Sequence, residues 1–279
     1  MMKRWIVRFG LFAAVIAAIW FYSDGEIVHS ARQYIENSDL LTVEARYTPE
    51  QIMETQKKVL VGDVTRTFQE PKIGYLPYLL LEVKFVDSNK KTREGIILWG
   101  QTDGEMIIDT AKWEKTHGFE DTLQAGATRN DFRVLQALAD HKGSMSLDDL
   151  HKELRIELPT LDSWLQSTQS KHLTIQKGQE IQLHFEDPRF HVLPQTKLNV
   201  PLVTKSNQNT YRIGRHFSRS QIEKIAQAAF GPEFSIRRVQ DLYLPFYILQ
   251  ATNPDGSTYT TYWNALNGEQ IPGRYLTSR

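Results

Sequence analysis

The apolar positions of this chain change period in an ordered way. Around Ile52, Met53, Val59 and Leu60 they recur at helical spacing. Thr48 is placed to cap that helix, Pro49 suits its first turn, and Gln51 can close a capping box. Strand-like runs follow at Thr65–Gln69, Tyr78–Val86, Arg93–Gly100 and Met106–Asp109, with Asp87-Ser88-Asn89-Lys90 as a turn. The pattern predicts one helix against an antiparallel sheet. The last part of the chain repeats the order. Ser218 and Gln221 take the places of Thr48 and Gln51, and a helix runs to about Ala229, stopped by Gly231-Pro232. Strands are expected near Phe234–Val239, Phe246–Thr252 and Thr258–Trp263, the last two joined by the hairpin turn Asn253-Pro254-Asp255-Gly256. Between these parts the period is different. Phe132, Val134, Leu135 and Leu138 form a helical stripe; Ser146 caps a second helix through Leu154; Pro159 opens a third with Leu161, Trp164 and Leu165. Two short alternating runs, His172–Ile175 and Ile181–Phe185, then flank a Lys177-Gly178 turn.

The outer parts share more than element order. Tyr75-Leu76-Pro77-Tyr78 has its counterpart in Tyr243-Leu244-Pro245-Phe246, and each is followed by W-x-x-x-x-G-E, at Trp99–Glu105 and Trp263–Glu269. The second copy is shorter between its Pro and its Trp, a change that a hairpin tip accommodates most easily. Ordered matches at separated points read as one repeated unit. Each copy is expected to form a four-stranded sheet with its own helix, with Pro77 and Pro245 at a strand start or sheet edge, where the missing donor is harmless. The resulting division is an anchor or signal over 1–23, a stalk over 24–46, a first module over 47–125, a middle domain over 130–190, a linker over 191–210 and a second module over 211–279.

Composition adds the compartment. Lys3, Arg4 and Arg8 precede an uncharged, apolar run from Phe9 to Ser23, and Asp24 and Glu26 follow it. No clean Ala-x-Ala site comes after the run, so an uncleaved membrane anchor is expected over a removed signal. The basic flank then holds the N-terminus in the cytoplasm and sends the rest of the chain to the periplasm or cell exterior. The whole 279-residue chain is 41% hydrophobic, enough to build real cores. It has no cysteine, which excludes disulfides and thiolate chemistry, and no net charge, which gives no general pull toward nucleic acid.

Three helices and a β-hairpin within Asn130–Phe190 resemble a winged-helix domain. That family often binds nucleic acid through its third helix, and many members serve protein contacts instead. Here the segment carries seven basic and ten acidic residues, a net charge of −3, the wrong balance for phosphate. The flanking copies, with a helix ahead of the sheet, Trp99 or Trp263, and a Gly-Glu turn, weakly resemble the PepSY and cystatin-like modules. That resemblance implies a binding or regulatory module rather than a catalyst.

Candidate chemistry is sparse. Trp99 and Trp263, with Tyr75 and Tyr243, are the candidate binding surface; the alternative is that the tryptophans are core residues at strand ends. Glu105 and Glu269 follow the turn glycines, with nothing to pair them. The eight histidines are scattered, and neither H-E-x-x-H nor G-x-S-x-G occurs. No catalytic residue, cofactor or metal ligand is nominated. The sequence therefore reads as an α+β protein: an N-terminal transmembrane anchor and two related helix-plus-sheet modules flanking a winged-helix-like domain. The expected function is extracytoplasmic binding or scaffolding through protein or peptide contacts, with the membrane as the second partner and nucleic acid not expected. The alternatives are a membrane-tethered DNA-binding regulator, and an enzyme or enzyme inhibitor with a site between modules.

Overall fold

The computed structural model describes residues 39–61, 66–206 and 211–276. The expected anchor and most of the stalk lie outside these residues. No helix among the described residues is long and apolar enough to cross a membrane. The protein is mixed α+β. The chain runs β1 (Asp39–Val43), α1 (Pro49–Thr55), α2 (Lys57–Val61), β2 (Thr67–Phe68), β3 (Lys72–Val86), β4 (Thr92–Gly100), β5 (Met106–Asp109) and β6 (Glu114–Lys115). The middle follows with α3 (Phe119–Ala125), α4 (Arg129–Asp140), β7 (Ser144–Ser146), α5 (Leu147–Leu154), α6 (Leu158–Ser170), β8 (Thr174–Lys177) and β9 (Glu180–Leu183). Then come β10 (Leu202–Ser206), β11 (Tyr211–Arg212), α7 (Arg219–Phe230), β12 (Ser235–Thr252) and β13 (Thr258–Asn264).

One ten-stranded sheet joins both ends of the described chain, in the order β10-β1-β12-β3-β4-β5-β6, with β13 and β2 on β12 and β11 on β3. Its spine is the antiparallel pair β3–β12, where Leu76 faces Leu244, Pro77 faces Tyr243 and Tyr75 faces Pro245. Each Tyr-Leu-Pro run thus pairs with the other, and a local two-fold axis passes between Leu76 and Leu244. Hydrogen bonds repeat across that axis. Gly100 N donates to Glu105 O at 2.9 Å, and Asn264 N to Glu269 O at 2.9 Å. Gln101 N reaches Pro77 O at 3.0 Å, as Ala265 N reaches Pro245 O at 3.2 Å. Trp99 pairs with Met106 on β5, and Trp263 bridges to Gln270. The two tryptophans occupy matching places.

The helices do not stay with their own strands. Ile52 and Leu60 of α1 and α2 bury against Tyr247, Leu249 and Trp263 of the second copy. Phe217, Ile222, Ile225 and Ala226, in and before α7, bury with Leu79, Leu81 and Trp99 of the first. The backbone exchange is equally regular: His216 N and Phe217 N donate to Gln101 O, while Arg46 N and Tyr47 N donate to Ala265 O, all at 2.9–3.0 Å. Both expected capping boxes form, Thr48 with Gln51 and Ser218 with Gln221. Each helix therefore starts where expected and packs on the other copy's sheet.

Three further expectations are corrected. Pro77 and Pro245 lie in the middle of the central strands, not at an edge. Their carbonyls point outward, so by antiparallel alternation their nitrogens do too, and no β3–β12 bond is lost. On that outer side β3 changes partner, from β11 at Tyr75 to β4 at Tyr78, and the missing donor falls in the gap. The strands expected at Phe234–Val239 and Phe246–Thr252 are one, β12, bent by an irregularity between Ile236 and Arg238. The 191–210 linker is not slack in its described part. Thr196 N bonds Ile96 O at 2.7 Å, Lys197 N bonds Ile108 O at 2.9 Å, and β10 joins the sheet.

The middle segment orders as helix, strand, helix, helix, strand, strand, with a separate sheet β7-β9-β8. Leu135, Leu150 and Leu161 are fully buried in a core that is continuous with Leu79, Trp99 and Phe119. The middle is packed on the sheet rather than tethered to it.

Candidate functional site

Trp99, Trp263, Tyr75 and Tyr243 are 0%, 2%, 3% and 6% exposed, so they form no open surface. Trp99 Nε1 donates to Gly104 O at 2.7 Å, and Trp263 Nε1 to Thr261 Oγ1 at 2.9 Å. Tyr75 and Tyr243 pack together with Leu40. Satisfied indole donors in the tryptophans and the burial of all four make these residues core, and they correct the expectation of a ligand-facing cluster.

The turns that the tryptophans anchor build something else. In each, an Asp or Asn side chain accepts from the backbone two residues on: Asp103 Oδ1 from Glu105 N at 3.3 Å, Asn267 Oδ1 from Glu269 N at 3.0 Å. The intervening Gly104 and Gly268 share φ +70°. This conformation favours glycine, which explains the repeated Gly-Glu. Between the two turns, on the axis, lies a cavity of about 330 Å³. Leu76 and Leu244 contribute to its lining from the axis itself. Thr102 and Asp103 enter from one turn, Asn264 and Asn267 from the other. The cavity is on the sheet face away from Leu79 and Leu249, because Leu76, Tyr78, Leu244 and Phe246 alternate with the residues that meet the helices.

Charge gathers at one wall. Lys115 Nζ donates to Asp103 Oδ2 at 2.5 Å; the lysine side chain is one-third exposed and the aspartate nearly buried. Burial and then Asp103 push the buried Tyr78 phenol above its usual range, although Lys115 opposes them. Burial lowers the affinity of Lys115 for its proton, but Asp103 and Tyr78 outweigh it and hold the ammonium above the usual lysine range. Trp113 stands edge-on to Tyr78, with ring centroids 5.9 Å apart, and its own backbone is left-handed at φ +53°. A bulky residue in that region stores strain, a feature that concentrates at functional sites.

Just behind this wall Glu105 is buried. It accepts from Thr116 Oγ1 at 2.6 Å and from Gly118 N and Glu120 N at 3.0 Å each, and so caps α3, whose own N-cap is a glycine. Burial pushes its carboxyl up to about 7; these hydrogen bonds pull the other way. Glu269 is exposed at the rim of the cavity.

Two lining residues carry unspent hydrogen-bonding capacity. Asn264 is 3% and Thr102 2% exposed. Asn264 Oδ1 accepts from Leu266 N at 2.8 Å, and its Nδ2 and Thr102 Oγ1 have no protein partner among the described residues; unlike Gln101 Oε1 and Asp131 Oδ1, they are not sealed from solvent. Sequence reasoning passed over both. The available signal was asymmetry within the repeat: Asn264 stands where the first copy has Gly100, and Thr102 where the second has Leu266.

Two larger hollows lie elsewhere, one of about 860 Å³ along Glu82, Glu94, Gln195 and Arg237. The other, of about 380 Å³ between α4 and α7, is lined by Phe85, Phe132, Phe190 and Phe230 together with Arg129, Arg133, Gln136 and Glu233. No group of three His, Asp or Glu among the described residues could hold a metal ion. Compared with known proteins, the chain matches no family model, no curated protein and no solved structure.

Proposed function

We propose that this chain is a membrane-anchored binding or scaffold protein, acting outside the cytoplasm through protein or peptide contacts. In this reading residues 1–23 are the anchor, and two related helix-plus-sheet modules flank a winged-helix-like middle. The matched hydrogen bonds about the axis support the relation between the modules. The helix–strand–helix–helix–strand–strand order supports the winged-helix likeness.

The observation that carries the reading is the axial cavity, whose lining includes the Asn264 amide and the Thr102 hydroxyl, both without protein partners. A ligand acceptor that takes the place of water at either donor adds a hydrogen bond worth about 0.5–1.5 kcal/mol net. The same cavity is poorly equipped for catalysis. Lys115 is held as an ammonium and Tyr78 as a neutral phenol, so neither is an activated base or nucleophile. The tethered DNA-binding alternative is weakened by α6, which occupies the position of a recognition helix. Its exposed residues include Thr160, Asp162, Ser163, Gln166 and Ser170, with no cation.

The test is a pair of C-terminal reporter fusions to the full chain, one active only in the cytoplasm and one only outside. The expected result is activity of the outside reporter alone. Activity of the cytoplasmic reporter alone overturns the reading, and sub-micromolar, salt-sensitive duplex binding by the full chain would then put the DNA-binding regulator in its place.

A further inference from the structure

We propose that the axial cavity seats an uncharged peptide segment, whose backbone carbonyls accept from the Asn264 amide and the Thr102 hydroxyl. The inference rests on the binding reading above and names the ligand class for that site. Three observations select the class.

The first is hydrogen-bonding sense. Asn264 Nδ2 can only donate, and its Oδ1 is already engaged by Leu266 N. Thr102 Oγ1 has a hydrogen to give. The ligand must therefore bring an acceptor to each wall. The second is charge. Lys115 is neutralised by Asp103 at 2.5 Å, and the rim adds one cation, Arg274, and one carboxylate, Glu269. The lining sums to zero, so a charged ligand gains nothing that an uncharged one lacks, and it must be stripped of water to enter. Neutral carbonyls satisfy both donors without that cost.

The third is the floor and the rings. Leu76 and Leu244 give an aliphatic floor suited to an apolar side chain. The aromatic rings of the lining already have partners. Trp113 and Tyr78 meet edge to face, and the Arg274 guanidinium lies over the Tyr275 ring at 4.7 Å. A saccharide would want an open ring to stack on, whereas a peptide does not. At about 330 Å³ the cavity is at the small end of ligand sites, sized for a short segment.

The experiment uses the full chain in lipid nanodiscs and the probe N-acetyl-leucine-N′-methylamide, which is uncharged and carries two amides and one apolar side chain. Binding is followed by calorimetric titration, and folding of every variant by circular dichroism. The expected result is saturable, weak binding of the probe, reduced at least tenfold by Asn264→Asp and by Thr102→Val, and retained by Thr102→Ser. Asn264→Asp keeps the oxygen that Leu266 uses; Thr102→Val keeps the shape and loses only the hydroxyl. If one variant does not fold, the other decides. Absence of saturable binding overturns the proposal, as does binding that both folded variants leave unchanged. Tighter binding of N-acetylglucosamine, or of N-acetyl-leucine with its free carboxylate, overturns the peptide class in favour of a saccharide or an anion. Failure here, with the reporter active outside, removes the ligand class and leaves the binding reading standing.

Discussion

At the residue scale, the turns around the axis depend on atoms that have no substitute. Gly104 sits at φ +70°, and a Cβ added there would meet the Phe217 ring at 2.9 Å and the Glu120 backbone at 3.0 Å. Gly256, at φ +82° in the β12–β13 hairpin, has open space around it. Gly104→Ala is expected to cost roughly 2–4 kcal/mol, strain plus a clash, and Gly256→Ala about 1 kcal/mol, strain alone. Urea titrations of the two variants check the difference, and equal costs would contradict the packing. Glu105 makes a pH prediction. Its folded carboxyl is raised from 4.5 to about 7, so the folded chain holds a proton that the unfolded chain has released. That contribution is fully present below about pH 4.5 and is lost as pH rises through 7. Its size is on the order of 3 kcal/mol. Glu105→Gln keeps an oxygen for Gly118 and Glu120 and cannot titrate. The stability of wild type relative to this variant should fall between pH 4.5 and 7 and then level off. A constant difference across that range would show that Glu105 stays ionised.

At the element scale, what was legible is what depends on neighbours in sequence. Thr48–Gln51 and Ser218–Gln221 announce helix starts because a cap is satisfied within three residues. The Trp-to-Gly-Glu spacing announces the turns because an Asx hydrogen bond and a left-handed glycine are local devices. Thr48→Ala and Ser218→Ala are each expected to cost about 1 kcal/mol, measured by thermal or urea unfolding. A cost near zero at either site would mean that its capping box is not made in solution. What was not legible depends on partners far along the chain. Pro77 and Pro245 read as edge residues because a central strand normally needs every donor; only the change of outer partner from β11 to β4, and from β1 to β13, makes room for them. The exchange of helices was hidden for a similar reason. Two sheets with like apolar faces accept either helix, and the order of elements does not say which. Segment 191–206 looked like a linker because its hydrogen bonds run to β4 and β5, some ninety residues earlier.

At the scale of the whole molecule, the exchange explains why the two copies form one body. Each helix closes the other copy's core, so neither copy buries its apolar face alone, and the central pair β3–β12 locks them at Leu76 and Leu244. The cavity follows from that arrangement, since its two walls are the matching turns brought face to face across the axis. Asymmetry within the repeat marks Thr102 and Asn264 in the sequence, but not as a site, because neither turn is a site without the other. The most direct test is hydrogen–deuterium exchange on the full chain with two core truncations. Ile52 and Ile222 are 1% and 0% exposed, and Ile→Ala at such sites removes about 2–5 kcal/mol of packing. With the helices exchanged, Ile52→Ala speeds exchange in β13, at Thr258–Asn264, and spares β4, whereas Ile222→Ala speeds exchange in β4, at Thr92–Gly100, and spares β13. The reverse pattern, with Ile52→Ala loosening β4, would contradict the exchange and with it the origin of the axial site.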